Sequence, residues 1–552
     1  MSRTQKMTYG IASLILALFR SWSLYFYQAE QTKALGMAGS LVLLALRSVF
    51  YAFLFFILFF LMQECFINRR FAGKLFDDDP PVASPGKLFL FWCVALALGW
   101  LPHLILKYPG AVCWDSWKML SQYHAQAITN FHSPFYAVLF GLFTDPFVKI
   151  GRGEIGLFLF AVFHFLIYVL VFGYSLWLLR VRMKAKRSVC LVVLICCLIC
   201  PYLIGYFGVI IKDTLYCVSV FLFLLCLLDD SFDRCAFEHS AGKILLLIVS
   251  MVGTYLFRRN GIFILGAVWF CLLLQTLIKK KNRRLSVIVT LGLASAIVSS
   301  SVINTVWHVQ DAGSRDAFSV CFQQTARYVK NYKDEIPEEE ADIIRVILPY
   351  DELPELYDPR IADPVKNSYV PSGMEALKDW LKLWAKWFLR HPGCYFAAVM
   401  EQNYYLFTPE VQDNICYYRD VDVGYEISKK VVVSESTRYF EPIFHEPEAL
   451  RGVKEAAVRE YTFLHYLPVT RWLGNLSFWF YLLVFFAAFA AANRIPWLIF
   501  FLPGIVTVGV VIISPMIFGH PRYMFPVVYT MPVLIVYVLH AAAEKFPGKE
   551  NP

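Results

Sequence analysis

Residues 157–179 read LFLFAVFHFLIYVLVFGYSLWLL, and His164 is the only acidic or basic side chain among them. This block is longer than the roughly 20 apolar residues with which a helix crosses a bilayer. Comparable blocks cover 37–62, 88–106 and 285–307. Only 17% of the 552 residues are charged, against about 25% in soluble proteins. The sequence therefore predicts an all-α polytopic membrane protein.

Lysine and arginine are concentrated in short segments between the apolar blocks, at 69–74, 180–187, 279–284 and Arg494. Short basic loops stay in the cytoplasm. All four basic segments lie in the cytoplasm if about twelve helices cross the membrane and both termini are cytoplasmic. The net charge of +9 thus reflects topology and does not indicate nucleic-acid binding. The helices are expected at about 8–27, 38–62, 87–106, 155–179, 188–207, 213–228, 243–257, 260–278, 285–307, 473–492, 496–517 and 522–542.

The apolar stretch 135–148 is short for a membrane span. If it crossed, the basic segment 180–187 would face outward, so we expect a re-entrant or interfacial helix on the external surface. The resulting plan has four parts. They are two extra N-terminal helices with a cytoplasmic loop (1–86), a transmembrane core (87–307) with a first external loop (107–154), an external and mostly helical cap (308–471), and three C-terminal helices (472–552).

This topology places a set of polar residues on the external face of the cell membrane. Each has an ordinary alternative role: an aspartate can cap a helix, a Lys-Asp pair can be a simple ion pair, and arginines can anchor to lipid phosphate. Because these residues are all expected on the same side of the membrane, we favour a single cavity lined by acidic and basic residues. A transporter would place such groups near the membrane midplane. The residues are Asp115, His132, Lys212, Asp213, Arg258, Arg259, Arg522 and Tyr523.

The cap contributes three further candidates, Gln323, Gln324 and Arg327, which could contact a sugar or an acceptor. Residues 373–390 form an amphipathic pattern, with Lys or Arg at every fourth position and tryptophans opposite. Two interpretations stay open for it: a helix on lipid headgroups, or a helix that packs on the cap's own core. Cysteines outside the apolar blocks could pair in an oxidising compartment, and their connectivity is open. They are Cys113, Cys321, Cys394 and Cys416.

The motifs that carry these residues resemble those of the GT-C class of membrane glycosyltransferases. More narrowly, the chain resembles a bacterial GT-C-like membrane family catalogued as a domain of unknown function. The resemblance implies a GT-C-like helical bundle. The motifs are YPG…WDS…HSP (108–134), IKDT (211–214), FRRNG (257–261), QQTARYV (323–329), LYDPRIADPVK (356–366) and HPRYMFP (520–526).

The resemblance further implies sugar transfer from a polyprenyl-phosphate donor to an acceptor of the cell envelope. Asp115 occupies the first acidic position and would be the general base, and Asp213 occupies the second. The remaining candidates would bind the donor phosphate, the sugar or the acceptor. The first loop has one Asp where some GT-C enzymes have paired acids. A divalent cation on Asp115 and Asp213 therefore stays an open question.

Two other functions are compatible with the pattern. A lipid or polysaccharide transporter would need polar groups along the membrane interior, where Arg20, Arg47 and His164 are the main ones. A non-catalytic member of an envelope-assembly complex would keep the fold without turnover. The sequence GRGEIG at 151–156 matches a dinucleotide-binding spacing, but no strand precedes it, so we do not expect a nucleotide site there.

Overall fold

The computed structural model describes residues 1–29, 31, 34–68, 71–76, 82–234, 239–313, 315–411, 449, 452–454, 456, 467–514 and 517–546. Their backbone is mostly helical, with one two-stranded sheet. The elements are α1 (Arg3–Tyr27), α2 (Gly36–Gln63), α3 (Pro85–Leu106), β1 (Ala111–Val112), α4 (Trp114–His124), α5 (Pro134–Val148), α6 (Gly153–Val181), α7 (Arg187–Ile199), α8 (Pro201–Tyr206), β2 (Val209–Ile210), α9 (Lys212–Phe232), α10 (Ala241–Phe257), α11 (Gly261–Lys279), α12 (Arg283–Val306), α13 (Ser319–Tyr332), α14 (Glu338–Arg345), α15 (Leu353–Leu356), α16 (Asp363–Asn367), α17 (Gly373–Arg390), α18 (Pro392–Asn403), α19 (Pro468–Leu473), α20 (Leu476–Ala492), α21 (Leu498–Ile513) and α22 (Phe525–Lys545).

The long helices alternate between two ends of a bundle. At one end Gln5 Nε2 donates to Asn493 Oδ1 (3.0 Å), and the Lys186 amide donates to the Leu75 carbonyl (2.9 Å). We call this the basic end, because the basic segment 180–187 and Arg494 lie there. The opposite end, where β1 pairs with β2, is called the site end.

Eight helices in the described chain are long and apolar enough to cross a membrane. This confirms the prediction of an all-α protein with several membrane-spanning helices. Four further helices of the expected twelve are apolar but shorter, namely α7, α10, α20 and α21. The twelve crossings and the cytoplasmic position of the basic end therefore stay predictions. The eight are α1, α2, α3, α6, α9, α11, α12 and α22.

Helix α5 stands beside the first half of α6. Ser133 caps it, since its Oγ accepts from the Tyr136 amide (3.0 Å). Tyr136 contacts His164, and Phe140 stacks on Phe160 with the ring centres 5.0 Å apart. Residues late in α5 thus meet residues early in α6, so the two helices run antiparallel. At 15 residues, α5 packs lengthwise against α6. Its expected place on the external surface stays a prediction.

A buried carboxylate joins three helices at the basic end. Asp229 of α9 is inaccessible to solvent. Its Oδ1 accepts from Arg182 Nε (2.6 Å), and its Oδ2 accepts from Lys243 Nζ (2.6 Å) and Tyr174 OH (2.9 Å). A buried charge is tolerated only when it is paired and hydrogen-bonded. The contacts therefore hold α6, α9 and α10 together at this end.

The cap has its own hydrophobic core, separate from that of the bundle. Trp380 and Trp387 of α17 are fully buried in it. Trp387 stacks on Tyr328 with the ring centres 4.2 Å apart, and its Nε1 donates to Glu340 Oε2 (2.6 Å). Of the two interpretations of 373–390, core packing is the one that the structure bears out. Cys113, Cys321 and Cys394 form no disulfide among the described residues, and Cys416 lies outside those residues.

Gly110 permits the pairing of β1 with β2. Its φ is +150°, which lies in the region that favours glycine. A Cβ at this position would come within 2.8 Å of Ile210 Cδ1, an atom of the partner strand. Any larger residue would therefore have a strained backbone and would push the Ile210 side chain aside.

We expect Gly110→Ala to destabilise the protein by about 1–3 kcal/mol, the usual range for a strained backbone position. The measurement is a thermal melt of purified protein in detergent, followed by a thiol-reactive dye that labels the buried cysteines on unfolding. Gly266→Ala is the matched control, since a Cβ there meets nothing within 4 Å and alanine favours a helix. Equal melting temperatures for both variants would contradict the assignment.

Candidate functional site

Two short strands bring the first loop (107–154) and the start of α9 together. β1 and β2 are parallel, with Ala111 opposite Val209 and Val112 opposite Ile210. The chain leaves parallel strands at the same edge, so Asp115 and Lys212 emerge side by side. Lys212 Nζ lies 3.5 Å from Asp115 Oδ2.

His132 completes the first group of contacts. Its Nδ1 lies 2.9 Å from Lys212 Nζ. The next residue, Ser133, donates through Oγ to the Leu256 carbonyl at the end of α10 (2.6 Å). The His-Ser-Pro turn therefore holds the first loop against the turn that carries Arg258.

The turn between α10 and α11 places Arg258 on the second acid. A Cβ on Gly261 would lie 2.2 Å from the Thr254 carbonyl oxygen, so the tight turn requires glycine at that position. Arg258 NH1 donates to Asp213 Oδ1 at 2.7 Å. Its guanidinium also lies 4.6 Å from the centre of the Tyr523 ring, a cation–π distance.

Arg522 bridges the two acids. It lies on a 3-10 turn, Pro521–Met524, and is 9% exposed. Its NH2 approaches Asp115 Oδ2 at 3.4 Å, and its Nε approaches Asp213 Oδ2 at 3.7 Å. NH2 also donates to the Tyr523 hydroxyl (3.2 Å). Both carboxylate contacts are longer than a good charged hydrogen bond, so Arg522 has bonding capacity left for a ligand.

The cluster carries more positive than negative charge. Two carboxylates, Asp115 and Asp213, face three cations, Lys212, Arg258 and Arg522. Burial alone would raise the pKa of Asp115, but Lys212 and Arg522 hold that pKa well below its usual range. Burial, reinforced by Lys212, lowers the pKa of His132 to about 3. Both side chains therefore resist protonation, and the excess charge favours an anionic ligand.

A groove leads from this cluster into the apolar part of the bundle. It lies between α11 and α21, and its free volume is about 10 Å³. Polar and aromatic side chains line one part, and Ile264, Val510 and Val511 line another. The former are Tyr216, Arg258, Asn260, Thr507 and Tyr523. Phe263 and Ile513 are 57% and 67% exposed, so the two helices present apolar surface beside it. The arrangement suits a ligand with an anionic head and an apolar tail.

The structure does not bring all predicted residues into this cluster. Arg259 is exposed, and the charge that it faces is that of Asp311. In the cap, Gln323 donates to the Asp358 and Ile361 carbonyls (3.0 and 3.2 Å), and Gln324 donates to the Tyr395 carbonyl (3.4 Å). Arg327 pairs with Glu401 and donates to the Tyr357 hydroxyl. These three side chains hold the cap together.

Two further residues belong to the site although the sequence analysis did not select them. Tyr216 lies under the Arg258 guanidinium at 5.8 Å and lines the groove. Its spacing from Asp213, one helical turn, could have indicated it. His520 has its pKa lowered to about 3 by burial and by Arg522. It directly precedes the predicted arginine turn, but its burial could not be read from the sequence.

The polar residues that a transporter would use lie apart from one another in the described chain. Arg20 pairs with Glu410 (2.8 Å through NH1), and Arg47 donates to Gln28 (2.7 Å). The His164 ring bonds to Thr214 (3.1 Å), directly behind the site. Each has a local partner, and together they form no continuous row.

The donor set around the two acids does not fit a divalent cation. Among the described residues no group of three or more His, Cys, Asp and Glu side chains is arranged to hold a metal. Lys212 and Arg522 face Asp115, and Arg258 and Arg522 face Asp213. A cation bound to either carboxylate would lie against these positive charges.

The comparison with protein families gives a match over most of the chain. A model described as "Family of unknown function (DUF6020)" matches residues 119–551. The chain belongs to this family. The matched residues include Lys212, Asp213, Arg258 and Arg522, whereas Asp115 lies just before them. No curated protein and no solved structure matches the chain.

We expect the melting temperature to fall between pH 7 and pH 5, and His132→Gln to reduce that fall. The ordinary pKa of histidine is about 6.5, and in the folded protein that of His132 is about 3. Between these values the unfolded chain binds a proton that the folded chain does not. The stability is therefore complete above about pH 6.5 and decreases as the pH falls toward 3.

The experiment is a set of thermal melts of wild type and variant at both pH values. His308→Gln is the matched control, because His308 is exposed and outside the cluster. A variant that keeps the full wild-type pH dependence would show that His132 is not held neutral by its surroundings.

Proposed function

We propose that this protein is a membrane glycosyltransferase that moves a sugar from a polyprenyl-phosphate donor to an acceptor hydroxyl at the site end. The observation that carries the proposal is a cluster of paired charges with excess positive charge, open to an apolar groove. The motif resemblance to GT-C enzymes agrees with it. On this proposal the site end faces the outside of the cell membrane.

The two parts of the site match the two parts of such a donor. A lipid phosphate brings negative charge to a cluster in which three cations face two acids. Arginine forks suit phosphate oxygens, and Arg258 lies at both the cluster and the groove. The polyprenyl chain would lie along Ile264 and Val511, where burial of apolar surface stabilises it.

Donor binding would also activate Asp115. A general base works best when its pKa is near the operating pH, and in the free protein Lys212 and Arg522 hold the pKa of Asp115 well below its usual range. Their contacts with Asp115 are long, 3.5 and 3.4 Å. When both cations turn to the donor phosphate, less positive charge faces Asp115. Its pKa then rises, and it becomes a better base.

The proposed step balances without a further reactant. The acceptor oxygen forms a bond to the anomeric carbon, and the bond from that carbon to the phosphate oxygen breaks. Asp115 takes the proton of the acceptor hydroxyl. Lys212, Arg258 and Arg522 stabilise the negative charge that grows on the leaving phosphate, as fixed cations do in such transition states.

We expect Asp115→Asn to lower the rate of transfer by about 100- to 10,000-fold, the usual contribution of a general base. The assay incubates proteoliposomes with labelled polyprenyl-phosphate sugars and follows release or transfer of the sugar. Asp145→Asn is the control, because Asp145 pairs with Lys149 on α5 (2.7 Å) outside the cluster. If the wild-type protein moves lipid without releasing sugar, it is a flippase. If Asp115→Asn is fully active, Asp115 is not the general base.

We expect Arg258→Lys to weaken binding of polyprenyl phosphate by about tenfold, which corresponds to about 1.4 kcal/mol. Lysine keeps the charge but loses the planar fork. The neighbouring Arg259→Lys is a matched control, since Arg259 is exposed and the charge that it faces is that of Asp311. The measurement is titration of the lipid into purified protein in detergent. Equal losses in both variants would mean that Arg258 does not hold the phosphate.

A further inference from the structure

Three basic side chains surround the ring of Phe131 outside the charged cluster. Lys118 Nζ lies 5.1 Å from the ring centre, the Arg315 guanidinium carbon 4.9 Å, and Lys366 Nζ 6.0 Å. They come from α4, from the 3-10 turn Arg315–Phe318 and from α16. We call these four residues the Phe131 box. Because its parts come from distant segments, the fold and not the local sequence assembles it.

Only one of the three cations is neutralised by acids in the described chain. Lys366 pairs with Asp316 (3.0 Å) and Asp363 (2.8 Å). Neither Lys118 nor Arg315 has a carboxylate within ion-pair distance among the residues that the structure describes. The Arg315 Nε is buried there without a hydrogen-bond partner. A buried donor without a partner is unfavourable, so this Nε gains by binding an anion.

The box adjoins the charged cluster. Lys118 follows Asp115 by one helical turn, so both lie on the same face of α4. The Phe131 ring lies 4.6 Å from that of His132, which in turn approaches Lys212. A molecule in the box would therefore border the carboxylate that we assign as the base.

The cap is held against this part of the first loop. Asn130 Nδ2 donates to Asp311 Oδ1 (2.8 Å), and the Ala312 amide donates to Asn130 Oδ1 (2.8 Å). Thr129 and Gln310 form a parallel bridge. These contacts keep Arg315 and Lys366 over Phe131, so the box is a built site.

We propose that the Phe131 box binds an anionic group, a phosphate or a carboxylate, carried by the acceptor. The acceptor is then an acidic glycan whose sugar ring packs on Phe131 and whose charge meets Lys118 and Arg315. The binding of an anion stands on the box alone, whereas its assignment to the acceptor rests on the proposed function.

The test uses the full chain in phosphatidylcholine nanodiscs. These hold enough polyprenyl phosphate to saturate the charged cluster around Asp115 and Asp213. The probe is glucose 6-phosphate, with glucose as its uncharged counterpart, and binding is measured by ligand-observed NMR. We expect the phosphorylated sugar to bind more tightly than glucose. Lys118→Gln and Arg315→Gln should each weaken its binding at least fivefold, and Phe131→Leu should weaken both sugars.

Lys378→Gln, an exposed change on α17, should leave binding unchanged and serves as the charge-matched control. Equal affinity for the two sugars, or wild-type affinity in Arg315→Gln, would overturn the proposal. A second set of nanodiscs contains equal parts phosphatidylcholine and phosphatidylglycerol. If the anionic lipid displaces the probe from wild type, the occupant is a bilayer headgroup and the acceptor assignment is wrong.

The two proposals can fail separately. If Arg315→Gln still transfers sugar, and wild type shows no preference for an acidic acceptor, the glycosyltransferase proposal stands. The assignment of the Phe131 box to the acceptor is then wrong. Phosphate binding that depends on Arg315 in a protein that transfers no sugar would keep the anion site and remove the proposed activity.

Discussion

The pairing of β1 with β2 is the contact on which the site depends. It consists of two residues on each side, yet it places the start of α4 beside the start of α9. Asp115 and Lys212 follow the paired residues directly, and the charge network extends from them to Arg258 and Arg522. Since a short ladder contributes little by itself, its burial and the opposite charges beyond it keep the two segments together.

The positive and negative charges of this network do not cancel. The positive charge that remains determines what the site can bind. Asp213 is almost fully buried and has a short bond only to Arg258. Arg522 is divided between two acids at distances too long for strong bonds. A buried carboxylate that lost both arginines would be strongly destabilised. A ligand phosphate can therefore draw Lys212 and Arg522 from the acids, while Arg258 keeps one N–H on Asp213 and offers its others to the phosphate.

The sequence predicted most of the cluster because its members lie in short polar segments at one end of apolar blocks. It could not show which of Arg258 and Arg259 pairs with Asp213, because that depends on the turn at Gly261 and on the position of Asp213. Gln323, Gln324 and Arg327 looked like ligand-binding residues, but they bond to the backbone and side chains of the cap. The groove and the Phe131 box were beyond prediction, since each depends on segments that are distant in the chain.

Helix α9 carries a buried carboxylate near each of its ends, and basic residues of other elements hold both. Asp213 is held by Arg258 at the site end, and Asp229 by Arg182 and Lys243 at the basic end. A shift of α9 along its axis would separate both acids from their partners at once, at a cost of several kcal/mol for each. We therefore expect α9 to keep its position when a ligand binds. Any rearrangement that admits a ligand has to come from the segments around α9, which include the cap and the turn before α22.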